Sequence, residues 1–142
     1  MKIAIGSDHA AYKEKQILIN YLENRGLTVL DFGTDSEDSV DYPIFGQKVA
    51  KSVLNEIANK GIIICGTGIG ISIAANRFKG IRAALCTSES HAEMSRKHND
   101  SNILALGSRT TNIDLLKKIV KVWLETDFEA GRHINRLNML DE

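Results

Sequence analysis

The 142-residue sequence has one proline, two cysteines and no excess of either charge. Two cysteines make no disulfide framework, which excludes the small cross-linked secreted scaffolds. Each follows an apolar run, as reduced thiols do, and a cytoplasmic location is expected. Lys plus Arg and Asp plus Glu both number 18, so net charge points to neither nucleic acid nor an anionic membrane surface. No apolar run approaches the roughly 20 residues a membrane helix needs. The opening Met1-Lys2-Ile3-Ala4-Ile5-Gly6 lacks the long apolar core of a signal peptide and reads as a first strand. Repeats, linkers and low-complexity segments are also missing. The four histidines are scattered, with no pair at ligand spacing, so no metal site is expected.

What is present is an ordinary globular composition, 43% hydrophobic and 25% charged, in a length that suits one domain over residues 1–142. Lys2 to Ser7 reads as a strand, with Asp8-His9 at its carboxyl end. A helical pattern from about Ala11 to Asn24 places Ile17, Leu18, Tyr21 and Leu22 on one face, and Gly26 ends it. Thr28 to Leu30 is a short strand before a polar loop from Asp31 to Asp41. The lone Pro43 fits the first turn of a helix whose stripe is Phe45, Val49, Val53 and Ile57, closed by Gly61. Ile62-Ile63-Ile64 is a strand buried on both faces. Ile81 to Leu85 and Asn102 to Leu106 are further strands. Ser88 caps a helix running to about Lys97. Asn112 caps another with Leu116, Ile119, Val120 and Trp123 inward. A helical tail starts at about Asp127. Five alternations of strand and helix predict an α/β chain: a three-layer αβα, Rossmann-like fold on a five-stranded parallel sheet. Ligands of such sheets bind outside the carboxyl ends of the strands, where the polar residues gather.

The stretch Cys65-Gly66-Thr67-Gly68-Ile69-Gly70-Ile71-Ser72 carries the chemistry. A strand, a glycine turn and a helix start leave N–H groups free to hold an anion or an oxyanion. The dinucleotide fingerprint does not fit, because Ile71 stands where its third glycine belongs and Cys86 where its acidic residue would be. A Walker loop does not fit either, since no Gly-Lys-Ser/Thr follows. Cys65 is read in two ways, as a small buried hydrophobe or as a thiol whose pKa the helix start lowers. Cys86 lacks such neighbours and is read as structural. Arg132 and Arg136, four apart, share a helix face; from spacing alone a solvated pair is the stronger reading over a phosphate clamp. His9 and His98 flank polar turns, and for each alone a surface role is the stronger reading. Together these residues suit proton abstraction next to a carbonyl of a small anionic substrate.

Several segments carry a resemblance: Gly6-Ser7-Asp8-His9-Ala10, Asp41-Tyr42-Pro43, Ile64 to Asn76, Gly80-Ile81-Arg82-Ala83, Ser95 to Asp100, Leu106-Gly107-Ser108-Arg109 and Gly131 to Arg136. In order, over nearly the whole chain, the sequence resembles the type B ribose-5-phosphate isomerases, whose wider family includes the galactose-6-phosphate isomerase subunits. The resemblance implies interconversion of D-ribose 5-phosphate and D-ribulose 5-phosphate through an enediolate, in the non-oxidative pentose phosphate pathway, without metal or organic cofactor. It implies Cys65 as the base moving a proton between C1 and C2. Thr67 and the N–H groups from Gly66 through Gly68, Ile69 and Gly70 would hold the enediolate. His98 would open the sugar ring with Asp8 nearby, and Asn99 would bind hydroxyls. His9, Arg132 and Arg136, with Arg109, would hold the phosphate, and Tyr42 would line the pocket. A homodimer or dimer of dimers with shared sites is implied as well. Some relatives use a carboxylate later in the glycine loop; here Ile69-Gly70-Ile71 holds none, leaving Cys65 as the loop's candidate base. The galactose-6-phosphate subunits tend to lose His98-Asn99 and the 131–136 motif, both kept here, which favours the pentose substrate. A six-carbon sugar phosphate remains the variant reading. A non-catalytic sugar-phosphate sensor and a nucleotide-binding module are the readings from other classes.

Overall fold

The computed structural model describes residues 1–142. Strand β1 (Lys2–Ser7) is followed by a 3-10 turn (His9–Ala11) and helix α1 (Tyr12–Asn24). Then come β2 (Thr28–Asp31), α2 (Tyr42–Leu54), β3 (Lys60–Cys65) and α3 (Ile69–Asn76). The second half runs β4 (Ala83–Leu85), α4 (Glu89–Lys97), β5 (Ile103–Gly107), α5 (Ile113–Glu125) and α6 (His133–Leu140). The five strands form one parallel sheet, as the alternating pattern predicts, and the structure sets their order as β2-β1-β3-β5-β4.

The run of isoleucines in β3 explains the three layers. Side chains alternate along a strand. Ile62 and Ile64 therefore enter the core beneath α1 and α5, with Leu18, Leu116 and Trp123. Ile63 and Cys65 enter the core beneath α2 and α3, with Phe45, Val49 and Ile71. Each fully buried isoleucine contributes about 1.5–3 kcal/mol of transfer free energy, so a strand apolar on both faces belongs at the centre. β4 is a short edge. Its outer side is covered by the Asn76 amide, which accepts from Ala83 N–H at 2.7 Å and donates to Ala83 O at 2.9 Å. Such a cap leaves little unpaired backbone for another strand.

The caps at Ser88 and Asn112 form as expected, accepting from the N–H groups of His91 and Leu115. Several boundaries differ. The α2 stripe stops before Ile57, which is 52% exposed. Glu56 adopts φ 58°, and the N–H groups of Ile57 and Ala58 both turn back to Ser52 O, so the helix ends at Leu54. Gly61 consequently lies inside β3, paired with Ile103, rather than closing a helix. Ile17 is 40% exposed, outside the buried α1 face of Leu18 and Leu22. β4 begins at Ala83, because Ile81 N–H is held by Phe78 O in a preceding turn. The tail is helical only from His133; Ala130 and Gly131 carry φ 58° and 60°, which a helix cannot contain.

Candidate active site

The sheet order reverses at β1 and β3: the chain leaves β1 toward β2 on one side and later builds β3, β5 and β4 on the other. That switch point opens a crevice at the carboxyl ends. Asp8 follows β1, and its N–H donates to Ile64 O at 3.2 Å, which sets it beside Cys65 at the end of β3. Past β5, the N–H groups of Ser108 and Arg109 donate to the carbonyls of Cys65 and Gly66, each at 2.9 Å. Parallel pairing thus delivers a carboxylate, a thiol and a guanidinium to one edge. They line a cleft of about 400 Å³ with Tyr42, Gly66, Thr67, Ile69 and Gly70.

The glycine loop is shaped by close approach. Gly68 has φ 79°, and a Cβ on it would sit 2.8 Å from Leu106 O, so no larger residue fits. Its N–H donates to Cys65 Sγ at 3.1 Å. Ile69 N–H is taken by Thr67 Oγ1 at 3.2 Å. The N–H groups of Gly66, Thr67 and Gly70 have no acceptor within the chain, and all three residues line the cleft. They are the donors a developing oxyanion needs, at the start of α3. A Cβ on Gly70 would lie 2.5 Å from Tyr42 Cε1, so the tyrosine ring rests on that glycine. The Arg109 guanidinium lies over Gly66 in the same way, 3.3 Å from where a Cβ would be. Cys65 is 5% exposed and unpaired with another cysteine. Asp8 is buried, and its Oδ1 accepts from Ala10 N–H at 3.1 Å. Burial pushes the Cys86 thiol up to about 11, in keeping with a structural role.

His9 stands next to Asp8, on the 3-10 turn beside a shallow depression with Lys13 and Glu14. Val40 N–H donates to its Nδ1 at 3.1 Å. The ring proton is therefore on Nε2, which makes His9 a donor toward any ligand.

The other expected residues are not in the cleft. α4 returns from the carboxyl end of β4 to the amino end of β5, so His98 and Asn99 lie at the opposite edge of the sheet. Arg82, just before β4, fixes them there: its Nε donates to Asn99 O at 3.0 Å and its Nη1 to Asp141 Oδ2 at 2.7 Å. The second bond ties down the end of α6. His133 on α6 stacks on His98, ring centroids 4.7 Å apart and 21° from parallel. Arg132 and Arg136, both exposed, flank His133. Burial first, then the positive charges of Arg132, His98 and Arg136, hold the His133 imidazole below its ordinary pKa, against the pull of Glu129.

Residues 3–140 match the family model described as Ribose/Galactose Isomerase. The chain belongs to this family. Ribose-5-phosphate isomerase B of Escherichia coli is 46% identical over 139 residues, spanning 98% of this chain and 93% of the relative. A solved Clostridium thermocellum ribose-5-phosphate isomerase B is 53% identical with TM-score 0.99, covering 99% of this chain and 95% of that one. A Pectobacterium atrosepticum D-erythrulose-4-phosphate isomerase is 39% identical over 132 residues, 92% of this chain and 87% of the relative.

In this Ribose/Galactose Isomerase chain, sequence reading missed two residues of the amino-edge cluster, His133 and Glu129. His133 lies inside the Gly131-to-Arg136 motif, where the spacing of four singles out only the two arginines. Glu129 carried no signal, because its N–H bond to Lys97 O, 3.1 Å, is a tertiary contact.

Proposed function

We propose that this Ribose/Galactose Isomerase interconverts D-ribose 5-phosphate and D-ribulose 5-phosphate as a metal-independent aldose–ketose isomerase of the cytoplasm. The observation that carries the reading is the thiol of Cys65 beside the unpaired N–H groups of Gly66, Thr67 and Gly70. The names of the E. coli and C. thermocellum relatives supply the substrate. Cys65, as thiolate, takes the C2 proton of the open-chain aldose. The resulting charge falls on the carbonyl oxygen, where the loop N–H groups and Thr67 receive it. The same proton returns at C1 while the hydroxyl proton passes from O2 to O1, so atoms and charge balance. Asp8 is placed to contact the substrate hydroxyls beside this centre. Arg109 and the Nε2–H of His9 lie on the same side and suit the phosphate. A phosphate anchored there holds C1 and C2 in place against the thiol.

Ring opening by His98, hydroxyl binding by Asn99 and phosphate binding by Arg132 and Arg136 require a second chain. Six residues of β3 separate the sheet edges by about 20 Å, and His98 lies at the wrong one for its own Cys65. A two-fold dimer that sets the amino edge of one subunit over the cleft of the other completes both sites at once. Ile69 and Ile73, 53% and 59% exposed on one face of α3 beside the cleft, and Met139 and Leu140 on α6, supply apolar surface for such a contact.

The test is turnover of ribose 5-phosphate in the presence of chelator, with Cys65→Ala as control. Chelator-resistant turnover that the variant loses supports the reading. No turnover by the folded parent refutes it. The P. atrosepticum relative brings a four-carbon substrate into view. Erythrulose, allose and galactose phosphates therefore belong in the same assay; a faster rate on one of them replaces the pentose assignment and keeps the chemistry.

A further inference from the structure

Glu129 and His133 are four residues apart, and the fold brings the distant His98 beside them. One ligand atom from each lies within 4.8 Å of the other two. Their backbones are fixed relative to one another. Glu129 N–H donates to Lys97 O, next to His98, and His133 N–H donates to Ala130 O. His133 is 5% exposed, yet its Nε2 has no hydrogen-bond partner. The Glu129 carboxylate is its neighbour, at 3.9 Å, too long for a hydrogen bond. Buried polar atoms are normally paired, so an orphan imidazole nitrogen beside a carboxylate and a second imidazole is a set of donors without an acceptor of their lone pairs.

We infer that this trio is an inhibitory site for a borderline transition-metal dication such as zinc. Two imidazoles and a carboxylate are a zinc donor set, and three protein ligands leave the fourth position for water. Zinc bonds of about 2.1 Å at a tetrahedral angle need donors about 3.4 Å apart. The half-buried His98 and exposed Glu129 close that distance by turning their side chains, while buried His133 stays in place. The turn takes His98 out of its ring stack, because a metal in the plane of both rings cannot sit between parallel ones. Arg132 and Arg136 oppose the cation, so this site binds more weakly than a closed structural zinc site. The consequence for activity rests on the proposed role of His98 in ring opening: metal would remove it from the reaction. The dependence is on a base-metal ion as inhibitor, distinct from any need for metal in turnover.

The test is competition between chelator-stripped protein and a chromogenic zinc chelator, read without turnover, alongside cobalt(II) absorption. The wild type is expected to take one ion per chain, and Cys65→Ala to take it equally. Cobalt should show a visible tetrahedral band without sulfur-to-metal charge transfer. Glu129→Gln should weaken binding by at least about 100-fold, the upper end of the 10- to 100-fold that losing even an outer-shell partner costs. It should leave metal-free turnover unchanged while zinc inhibition disappears. Absence of binding by the wild type overturns the site. So does binding that Cys65→Ala abolishes and Glu129→Gln keeps, which would put the ion on the thiol. Zinc bound as expected in a protein without isomerase activity would uphold the site and refute the proposed reaction separately.

Discussion

Two glycines two positions apart should respond unequally to the same added methyl. Gly68→Ala places a Cβ at φ 79°, 2.6 Å from Leu85 Cδ1 and 2.8 Å from the carbonyl carbon and oxygen of Leu106. The left-handed conformation costs about 1–2 kcal/mol for a residue with a Cβ. Overpacking against backbone that belongs to a central strand adds about 1–3 kcal/mol. The sum, about 2–5 kcal/mol, is a large part of the roughly 5–15 kcal/mol that holds a domain together. At about 3–5 °C per kcal/mol for a chain of this size, Tm should fall by about 6–25 °C. In Gly70→Ala the three atoms nearest the new Cβ all belong to the Tyr42 side chain, the first at 2.5 Å, and Tyr42 is 41% exposed, with room to swing away. Alanine is also the better residue inside α3 by about 1 kcal/mol. Its Tm should stay within about 3 °C of the parent, while KM rises because Tyr42 leaves the cleft. Thermal unfolding followed by circular dichroism, with turnover on the same samples, reads both. Equal Tm losses for the two variants would refute the geometry assigned to this loop.

Cys65→Ser keeps an acceptor for Gly68 N–H, so it should fold and bind a sugar phosphate while losing nearly all turnover; a variant that still turns over removes Cys65 as base. A hybrid dimer carrying Cys65→Ala in one chain and His98→Asn in the other retains one intact site of two, so roughly half the wild-type rate should return from two inactive parents. Hybrids purified by two tags test this, and an inactive hybrid would place His98 and Cys65 of one chain in the same site. Arg132→Ala should raise KM for the phosphate ester, measured by steady-state kinetics, and an unchanged KM takes it out of the clamp. The depressed His133 imidazole also predicts an acid effect. The unfolded chain takes up this proton first, near pH about 6.5, so the contribution is complete above that pH and is lost as pH falls toward the lower folded value. Unfolding midpoints measured stepwise below neutrality should drop in the parent and drop less in His133→Gln; parallel profiles would exclude this group as the cause.

Local sequence was enough for the elements whose signals are local. The Ser88 and Asn112 caps, the three isoleucines of β3 and the inward set Leu116, Ile119, Val120 and Trp123 each follow from side-chain chemistry within a few residues. The glycine turn after Cys65 was legible for the same reason, since free N–H groups at a helix start need no distant partner. Periodicity overreached at Ile57, where a stripe continued on paper beyond the turn at Glu56. Spacing also misled on the histidines. His98 and His133 are scattered in the chain but stacked in space, because Arg82 ties the Asn99 turn to Asp141 at the end of α6. Sequence by itself determined the alternating strands and helices, their caps and the chemistry placed at the strand ends. Tertiary structure alone decided the strand order, the switch point between β1 and β3, and the separation of Cys65 from His98. The physical reason is that caps and side-chain alternation act over a few residues. Parallel pairing and helix return direction are set by contacts between segments distant in sequence, and they determine which end of the sheet each side chain reaches.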